Sequence, residues 1–361
     1  MPPSSSSPRR RRTTLFNKDG ISLFATILPS TDNDDEDQVD DNDGASSPPH
    51  QNHDGIILTL TLNRQQSKNV INPTMISLLI QALDVIDTHP MLVHTNNKAL
   101  IVTGSSLNDH DDCKHPHDKK QTQQKNKSTT AAKFFSNGLD LEWMLQAGNN
   151  SSSSNNNNKK TTDPTSQLIE SFNSQILARL LILPFRTIAA INGHCIGAGL
   201  FLSLACDYRV MRTERGYIQW PEANLGMRLT KGFMELSKAK IGTAASTRRI
   251  LNDNKEVSLD SRKGGLVVVD HHVLREGILT AKRYISTEAL HAGIIDVECN
   301  IDELYNVSFD LAKKGLPELS EGMNLSYFDP RAYTEMKIEL WTDAYRALKF
   351  GKVQDLPESR I

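Results

Sequence analysis

Two apolar runs near the start of the chain, Ile21–Leu28 and Ile56–Leu62, read as strands; the second alternates apolar residues with threonine. Asn72-Pro73 then opens a helix predicted to reach about Thr88, with Ile76, Leu79, Ile80, Leu83 and Ile86 at helical spacing. Ala99–Thr103 is a short buried strand ending at Gly104, and Phe134-Phe135 return the chain to the core ahead of a short helix over Asp140–Gln146. Gln167–Leu183 is a helix stopped by Pro184, Thr187–Ile191 a strand feeding Asn192-Gly193, and Ala198–Cys206 a buried helix. From Asn300 onward the pattern is mostly helical and ends in a long amphipathic segment, Pro330–Lys349. Strand, glycine turn and helix recur, which predicts an α/β architecture with crossover units.

Hydrophilic tracts interrupt this pattern. Residues 1–19 are expected to form a disordered tail, and 30–54, 105–130, 148–164 and 252–276 to be insertions in a core spanning 20–299. A C-terminal helical region over 300–350 and a tail over 351–361 complete the division. The apolar stretch Leu266–Val269 inside the last insertion has no evident place. Of the 361 residues, about 250 lie outside these tracts, enough for one large domain.

Charge and cysteine content narrow the function classes. The net charge of −2 conceals eight acids among the twelve residues Asp32–Asp43 and an unbroken basic run, Arg9–Arg12. No aromatic residue interleaves the arginines, so no nucleic-acid partner is expected. Cys113, Cys195, Cys206 and Cys299 show no paired spacing, which fits a reducing compartment. No apolar run approaches the length of a membrane span, so no membrane insertion is expected. His110, Asp111, Asp112, Cys113, His115 and His117 are metal-ligand types, but their tract has the composition of an unpacked segment and no metal is expected there. The acid-free, serine- and arginine-rich N-terminus has some character of a mitochondrial transit peptide. Ser359-Arg360-Ile361 instead resembles the small–basic–aliphatic tripeptide read by a peroxisomal import receptor, which points to the peroxisome.

Two segments carry the chemistry: KFFSNGLDL, Lys133–Leu141, and AAINGHCIGAGLFLSLACD, Ala189–Asp207. Each leads an apolar run into a glycine turn and then into an amphipathic stretch, leaving backbone N–H groups free where a helix starts. Two such turns facing one another can aim two donors at one oxygen, which stabilises a carbonyl becoming an enolate. These residues resemble the signature of the crotonase, or enoyl-CoA hydratase/isomerase, superfamily. The resemblance covers about 55–104, 131–147, 165–250 and 277–349. It implies an α/β crotonase-type spiral of ββα units, with two roughly perpendicular sheets and a C-terminal helical region. It also implies an acyl-CoA substrate and assembly as a homotrimer or dimer of trimers, with no cofactor, CoA being part of the substrate.

Carried over residue by residue, the resemblance puts the two oxyanion N–H groups at Leu139, after Asn137-Gly138, and at Ala198, within Gly197-Ala198-Gly199. The glycines permit close approach of backbone to the thioester, and the helix opening at Ala198 adds positive potential. Hydratases of the superfamily use two glutamates. Here the first of those positions is Phe201, while the second survives as Glu222 in Gln219-Trp220-Pro221-Glu222. One carboxylate suits a proton shuttle between C2 and C4 of a 3-enoyl-CoA, with Trp220 and Phe201 expected to line the bound substrate and to raise the carboxyl pKa by desolvation. Lys231 stands where other isomerases of the superfamily place an additional acid. The stretch as a whole is most similar to plant-type peroxisomal delta-3,delta-2-enoyl-CoA isomerases. Lys68, Asn69 and Val70 resemble the loop that grips the adenosine end of CoA, Lys133 is a candidate phosphate contact, and His194 is read as structural. Another crotonase reaction, hydration or thioester hydrolysis, and a catalytically silent acyl-CoA-binding scaffold remain as alternatives.

Overall fold

The computed structural model describes residues 11–28, 55–95, 97–104, 133–152, 163–241, 272–314 and 329–352. The first two expected strands are present as Ile21–Ile27 (β2) and Ile56–Leu62 (β3), paired antiparallel from Ile21↔Leu62 to Ile27↔Ile56. All of β3 is buried, because each of its faces meets a separate apolar cluster. Leu58 and Leu60 join the main core with the helix Pro73–Thr88, while Ile57 joins Ile101, Ile188 and Val210 under the helix Leu304–Lys314.

The expected N-terminal tail needs correction. Arg11–Lys18 is a strand (β1) that pairs with β2 from Arg11↔Ile27 to Lys18↔Ile21, with an irregularity between Thr14 and Phe16. An edge strand draws its cohesion from backbone hydrogen bonds and tolerates charged side chains, so the basic run does not preclude it. The Arg12 guanidinium also lies over the Phe24 ring at 3.9 Å.

From β3 onward the chain alternates between two sheets. Lys98–Thr103 (β4), Arg186–Ile191 (β6), Tyr208–Arg212 (β8) and Val297–Cys299 (β11) extend a seven-stranded sheet in the order β1-β2-β3-β4-β6-β8-β11. The intervening strands Phe134–Ser136 (β5), His194–Ile196 (β7), Ile218–Gln219 (β9) and Arg283–Tyr284 (β10) form a four-stranded sheet in the order β10-β9-β7-β5. Three times, therefore, a strand of the large sheet is followed by one of the small sheet and then by helix. This is the ββα spiral expected, and it brings the C-terminal ends of β5, β7 and β9 side by side, because those strands are parallel neighbours.

Several boundaries shift. The helix Leu141–Ser152 and the helix beginning at Pro164 take in both ends of the expected 148–164 insertion, the second capped by Asp163 accepting from Ser166 N at 3.0 Å. The helix His272–Thr280 takes the last residues of the 252–276 insertion, since Val273, Leu274 and Gly277 have a core to pack on. The segment expected as one helix over 167–183 contains a π-turn at Phe172–Leu177. The amphipathic C-terminal segment breaks at Trp341 into Pro330–Leu340 and Thr342–Phe350. The His/Cys tract at 110–117, Leu266–Val269 and Ser359–Ile361 lie outside the described residues. Among the described residues no group of His, Cys, Asp or Glu is placed to hold a metal ion, and no helix is long and apolar enough to cross a membrane.

Candidate active site

The three C-terminal ends of β5, β7 and β9 each supply one part of the site. At the end of β5 the chain turns through Asn137, Gly138 and Leu139. Gly138 has φ +88°, a left-handed backbone that disfavours a side chain, and a Cβ there would stand 2.8 Å from Ile196 O. Ile71 N donates to Gly138 O at 2.7 Å and Asp140 N donates to Ile71 O at 3.0 Å, which fixes the peptides on either side of Leu139. The Leu139 N–H itself has no acceptor among the described residues.

This turn is held by side chains from a distant loop. Asn69, fully buried, donates through Nδ2 to Leu62 O, Gly104 O and Phe135 O at 2.9–3.0 Å, while its Oδ1 accepts from Arg64 N at 2.7 Å. Ser136 Oγ donates to Asn69 O at 2.7 Å and accepts from Gly138 N at 3.3 Å. Asn69 is thus an internal strut of the loop, and its side chain has no surface left for a CoA ligand. Ser136 escaped the sequence reading altogether. Its position directly before Asn-Gly was the one available signal.

At the end of β7, Gly197 N donates to Gln219 O at 3.1 Å and Gly197 O accepts from Phe201 N at 3.1 Å. Ala198 opens the helix Ala198–Ala205, every residue of which is buried. Its N–H is one of the orphan donors of a helix start and has no acceptor among the described residues. Gly199 packs so tightly that a Cβ would fall 2.6 Å from both Ser136 Cβ and Ser136 O. The first turn lies against this one, Gly138 being close enough that its missing Cβ would stand 3.3 Å from Ala198 N.

At the end of β9, Trp220-Pro221 lead into a single 3-10 turn, Glu222–Leu225, closed by Gly226. The Glu222 carboxyl faces the second turn, where a Cβ on Gly197 would lie 3.9 Å from Glu222 Oε1. Glu222 Oε2 is buried without a hydrogen-bond partner among the described residues. Burial pushes its pKa up to about 7, against a small opposing effect of its own backbone N–H. A carboxyl with its pKa raised toward 7, facing the turn that carries the unpaired Ala198 N–H, can take a proton from an acidified carbon and return it to another.

Phe201 and Trp220, expected to contact substrate, sit in the core instead. Phe201 stacks on Phe233 with centroids 4.0 Å apart and planes 6° from parallel, and neither it nor Trp220 has any exposed surface. Trp220 donates through Nε1 to Ser237 Oγ at 3.2 Å and meets Tyr284 edge-on. They form the apolar ground from which the site is built. Lys68 is exposed with Nζ 5.9 Å from the Phe134 ring centre, Val70 is half-buried, and Lys133 is exposed beside His194. His194 packs between the rings of Phe134 and Tyr217; burial, then the charges of Arg215, Arg283 and Lys133, hold its pKa down.

Comparison with known proteins places this geometry. The family model described as enoyl-CoA hydratase/isomerase matches residues 128–269. Enoyl-CoA delta isomerase 2, peroxisomal, of Arabidopsis thaliana is 38% identical over 155 residues, 43% of this chain and 61% of that protein. Enoyl-CoA delta isomerase 3 of the same plant is 34% identical over 43% of this chain and 60% of its own length. The match thus spans about 60% of the length of these relatives. Among solved structures, human mitochondrial delta3-delta2-enoyl-CoA isomerase superimposes with a TM-score of 0.52 at 15% identity, covering 81% of this chain and 82% of that one. A probable enoyl-CoA hydratase from Mycobacterium tuberculosis gives 0.53 at 19% identity, covering 82% and 89%. Residues 128–269 are thus similar to the enoyl-CoA hydratase/isomerase family, and the chain that carries them has the crotonase fold.

Proposed function

We propose that the protein is a delta-3,delta-2-enoyl-CoA isomerase. The thioester oxygen of a 3-enoyl-CoA is held between the N–H groups of Leu139 and Ala198. Ionised Glu222 removes a proton from C2, giving a dienolate whose charge rests on that oxygen. Return of the same proton to C4 leaves the double bond between C2 and C3 and regenerates the carboxylate. The observation that carries this reading is one partly buried carboxyl, with its pKa near 7, beside the second turn, while Phe201 fills the place of a second acid and is stacked away in the core. Hydration requires two groups to handle water, and an aromatic ring at that place supplies neither charge nor proton. The isomerase names of the plant relatives support the same reading.

Glu222→Gln is expected to lower conversion of trans-3-hexenoyl-CoA by about 100-fold or more with acyl-CoA binding retained. Undiminished turnover, or hydration of crotonyl-CoA as fast as isomerisation, overturns the assignment. We further infer assembly as a homotrimer or dimer of trimers through the last two helices, which expose Met336, Leu340 and Phe350; light scattering tests it, and a monomer rejects it. Two relatives are named peroxisomal, and together with Ser359-Arg360-Ile361 they support a peroxisomal address. A fluorescent protein fused ahead of residue 1 should give peroxisomal puncta; mitochondrial staining with the reverse fusion rejects the address.

A further inference from the structure

The helix that presents Ala198 N–H has an unusual far end. The carbonyl of its C-cap residue, Cys206 O, accepts from two buried cations, Lys240 Nζ at 3.2 Å and Arg209 Nη1 at 3.2 Å. Arg209 is also paired with Asp296, its Nη2 lying 3.2 Å from Asp296 Oδ2. The neighbouring carboxylate, Asp207, is already engaged: its Oδ2 accepts from Thr187 N at 2.8 Å, Thr187 Oγ1 at 3.0 Å and Lys337 Nζ at 2.8 Å. Lys337 also donates to Phe185 O at 3.0 Å. Two carboxylates thus pair with two cations, and among the described residues Lys240 has no carboxylate in hydrogen-bond contact. Its ammonium lies over the Trp341 ring at 4.3 Å, 5% of the residue being exposed. Burial pushes its pKa down to about 7, partly opposed by Asp207 and reinforced by Arg209 and Lys337.

A buried ammonium without its own counterion costs stability, so a cap of this kind is an expensive way to finish a helix. What it supplies is direction. The helices Ala198–Ala205 and Lys231–Ile241 run side by side in the same sense, since Phe201 stacks on Phe233 near one end and Cys206 meets Lys240 at the other. Lys240 therefore places a cation at the C-terminal, negative end of the dipole whose positive end is Ala198 N–H. We propose that Lys240 is a positioning residue for the oxyanion hole, its charge acting through the helix to favour negative charge on an oxygen held at Ala198 N–H.

This inference rests on the acyl-CoA reading of the site. The helix is about 12 Å long, and one buried charge at that range corresponds to about tenfold in an enolate equilibrium. The test reads the enolate directly. Acetoacetyl-CoA, a 3-ketoacyl thioester, absorbs in the near ultraviolet as its enolate, and the enolate fraction of the bound molecule reports the oxyanion hole without turnover. Lys240→Met removes the charge and keeps most of the stem; Lys240→Gln keeps a donor for Cys206 O without the charge. Both are expected to lower the enolate-to-keto ratio of bound acetoacetyl-CoA about tenfold, with the Kd of saturated hexanoyl-CoA within twofold of wild type. Lys240→Arg should restore the ratio to within about threefold of wild type. An unchanged ratio in Lys240→Met, or a wild-type ratio in Lys240→Gln, overturns the inference. A fall in the ratio that accompanies an equal loss of hexanoyl-CoA affinity and a lowered melting temperature assigns Lys240 a merely structural role and overturns it too. Failure of the wild-type protein to bind either thioester overturns the acyl-CoA reading, and this inference with it.

Discussion

The turn at Asn137–Leu139 is held by hydrogen bonds from side chains, whereas the turn at Gly197–Gly199 is held by close packing. In the first, Asn69 and Ser136 tie peptide groups from Leu62, Gly104, Phe135 and Gly138 into one polar knot. In the second, a fully buried helix with two aromatic rings stacked behind it pushes its N-terminus against Ser136. The two meet at that serine, whose hydroxyl belongs to one device and whose Cβ and carbonyl fill the space left by Gly199 in the other. A polar knot fails when one partner is removed and orphans the rest. A packed contact fails when one atom is added. The same pair of turns is therefore vulnerable to opposite kinds of change.

Adding one atom to the packed side has the largest expected effect. Gly199→Ala places a Cβ 2.6 Å from Ser136 Cβ and O, and neither backbone nor Cβ can swing aside. The two turns must separate, so isomerase kcat should fall about 100-fold, the scale of losing one oxyanion donor. A melting temperature lower by several degrees should accompany it, from about 1–3 kcal/mol of overpacking. A Gly199→Ala enzyme with wild-type kcat would show that the turns are not coupled through Ser136.

Removing atoms from the polar side comes next. Asn69 has φ +51°, so Asn69→Gly deletes the amide without straining the backbone. Several buried carbonyls then lose their donor, at a cost of about 2–3 kcal/mol. Denaturant unfolding should report that loss, and kcat should fall about tenfold as Leu139 N–H loses its fixed aim. A stability loss with kcat unchanged would mean that the backbone pairing of Ile71 with Gly138 and Asp140 holds the turn unaided.

The carboxyl that faces the second turn adds a pH signature. Glu222 has a folded pKa raised to about 7 from an ordinary 4.5. Between those values the folded state keeps a proton that the unfolded chain has released, so the stability of the wild type falls as pH rises through that window and levels off above about 7. The loss amounts to about 3 kcal/mol. Glu222→Gln cannot ionise and should lack it. The stability difference between variant and wild type is thus expected to grow from pH 4.5 to 7 in denaturant titrations; a constant difference would mean that Glu222 is not desolvated. Wild-type kcat/KM should rise over the same range, as the ionised form becomes available.

The parts of the site that were legible in the sequence are those whose physics is local. Gly138, Gly197 and Gly199 announce turns because left-handed or crowded backbone excludes other residues, and Glu222 follows a proline that closes a strand. Asn69 and Ser136 could be read only as neighbours of a motif, since the bond between them joins positions 67 residues apart. Phe201 is expected at the substrate because it stands at the position of the first hydratase glutamate, and Trp220 because it lies two residues before Glu222. Helical and strand geometry turns both side chains inward, to Phe233 and to Ser237. Strand β1 was hidden for a different reason. Edge pairing needs only backbone groups, so Arg11–Lys18 carries no continuous apolar alternation to betray it.

The smallest expected effect comes from shortening the chain where the polar knot closes. Gly104, the last residue of its described segment, donates through its N–H to Asn192 Oδ1 at 3.1 Å and accepts from Asn69 Nδ2 on its carbonyl at 3.0 Å. It lies directly against the backbone of Phe134 and Phe135, so closely that a Cβ would collide with both. Lys133, where the description resumes, accepts from His194 N at 2.8 Å. Gly104 and Lys133, which flank the 28 positions from 105 to 132, therefore stand close together in the fold, each bonded to described residues. Closure entropy grows only with the logarithm of loop length, so replacing these positions by a six-residue Gly/Ser linker should raise stability by about 1 kcal/mol. The Asn69 bonds to Gly104 and Phe135 should persist, and with them kcat to within twofold. A loss of activity at unchanged melting temperature would mean that positions 105–132 contribute to substrate capture. A loss of both would mean that the knot at Asn69 depends on them, and the first turn would then be held by more than the residues named.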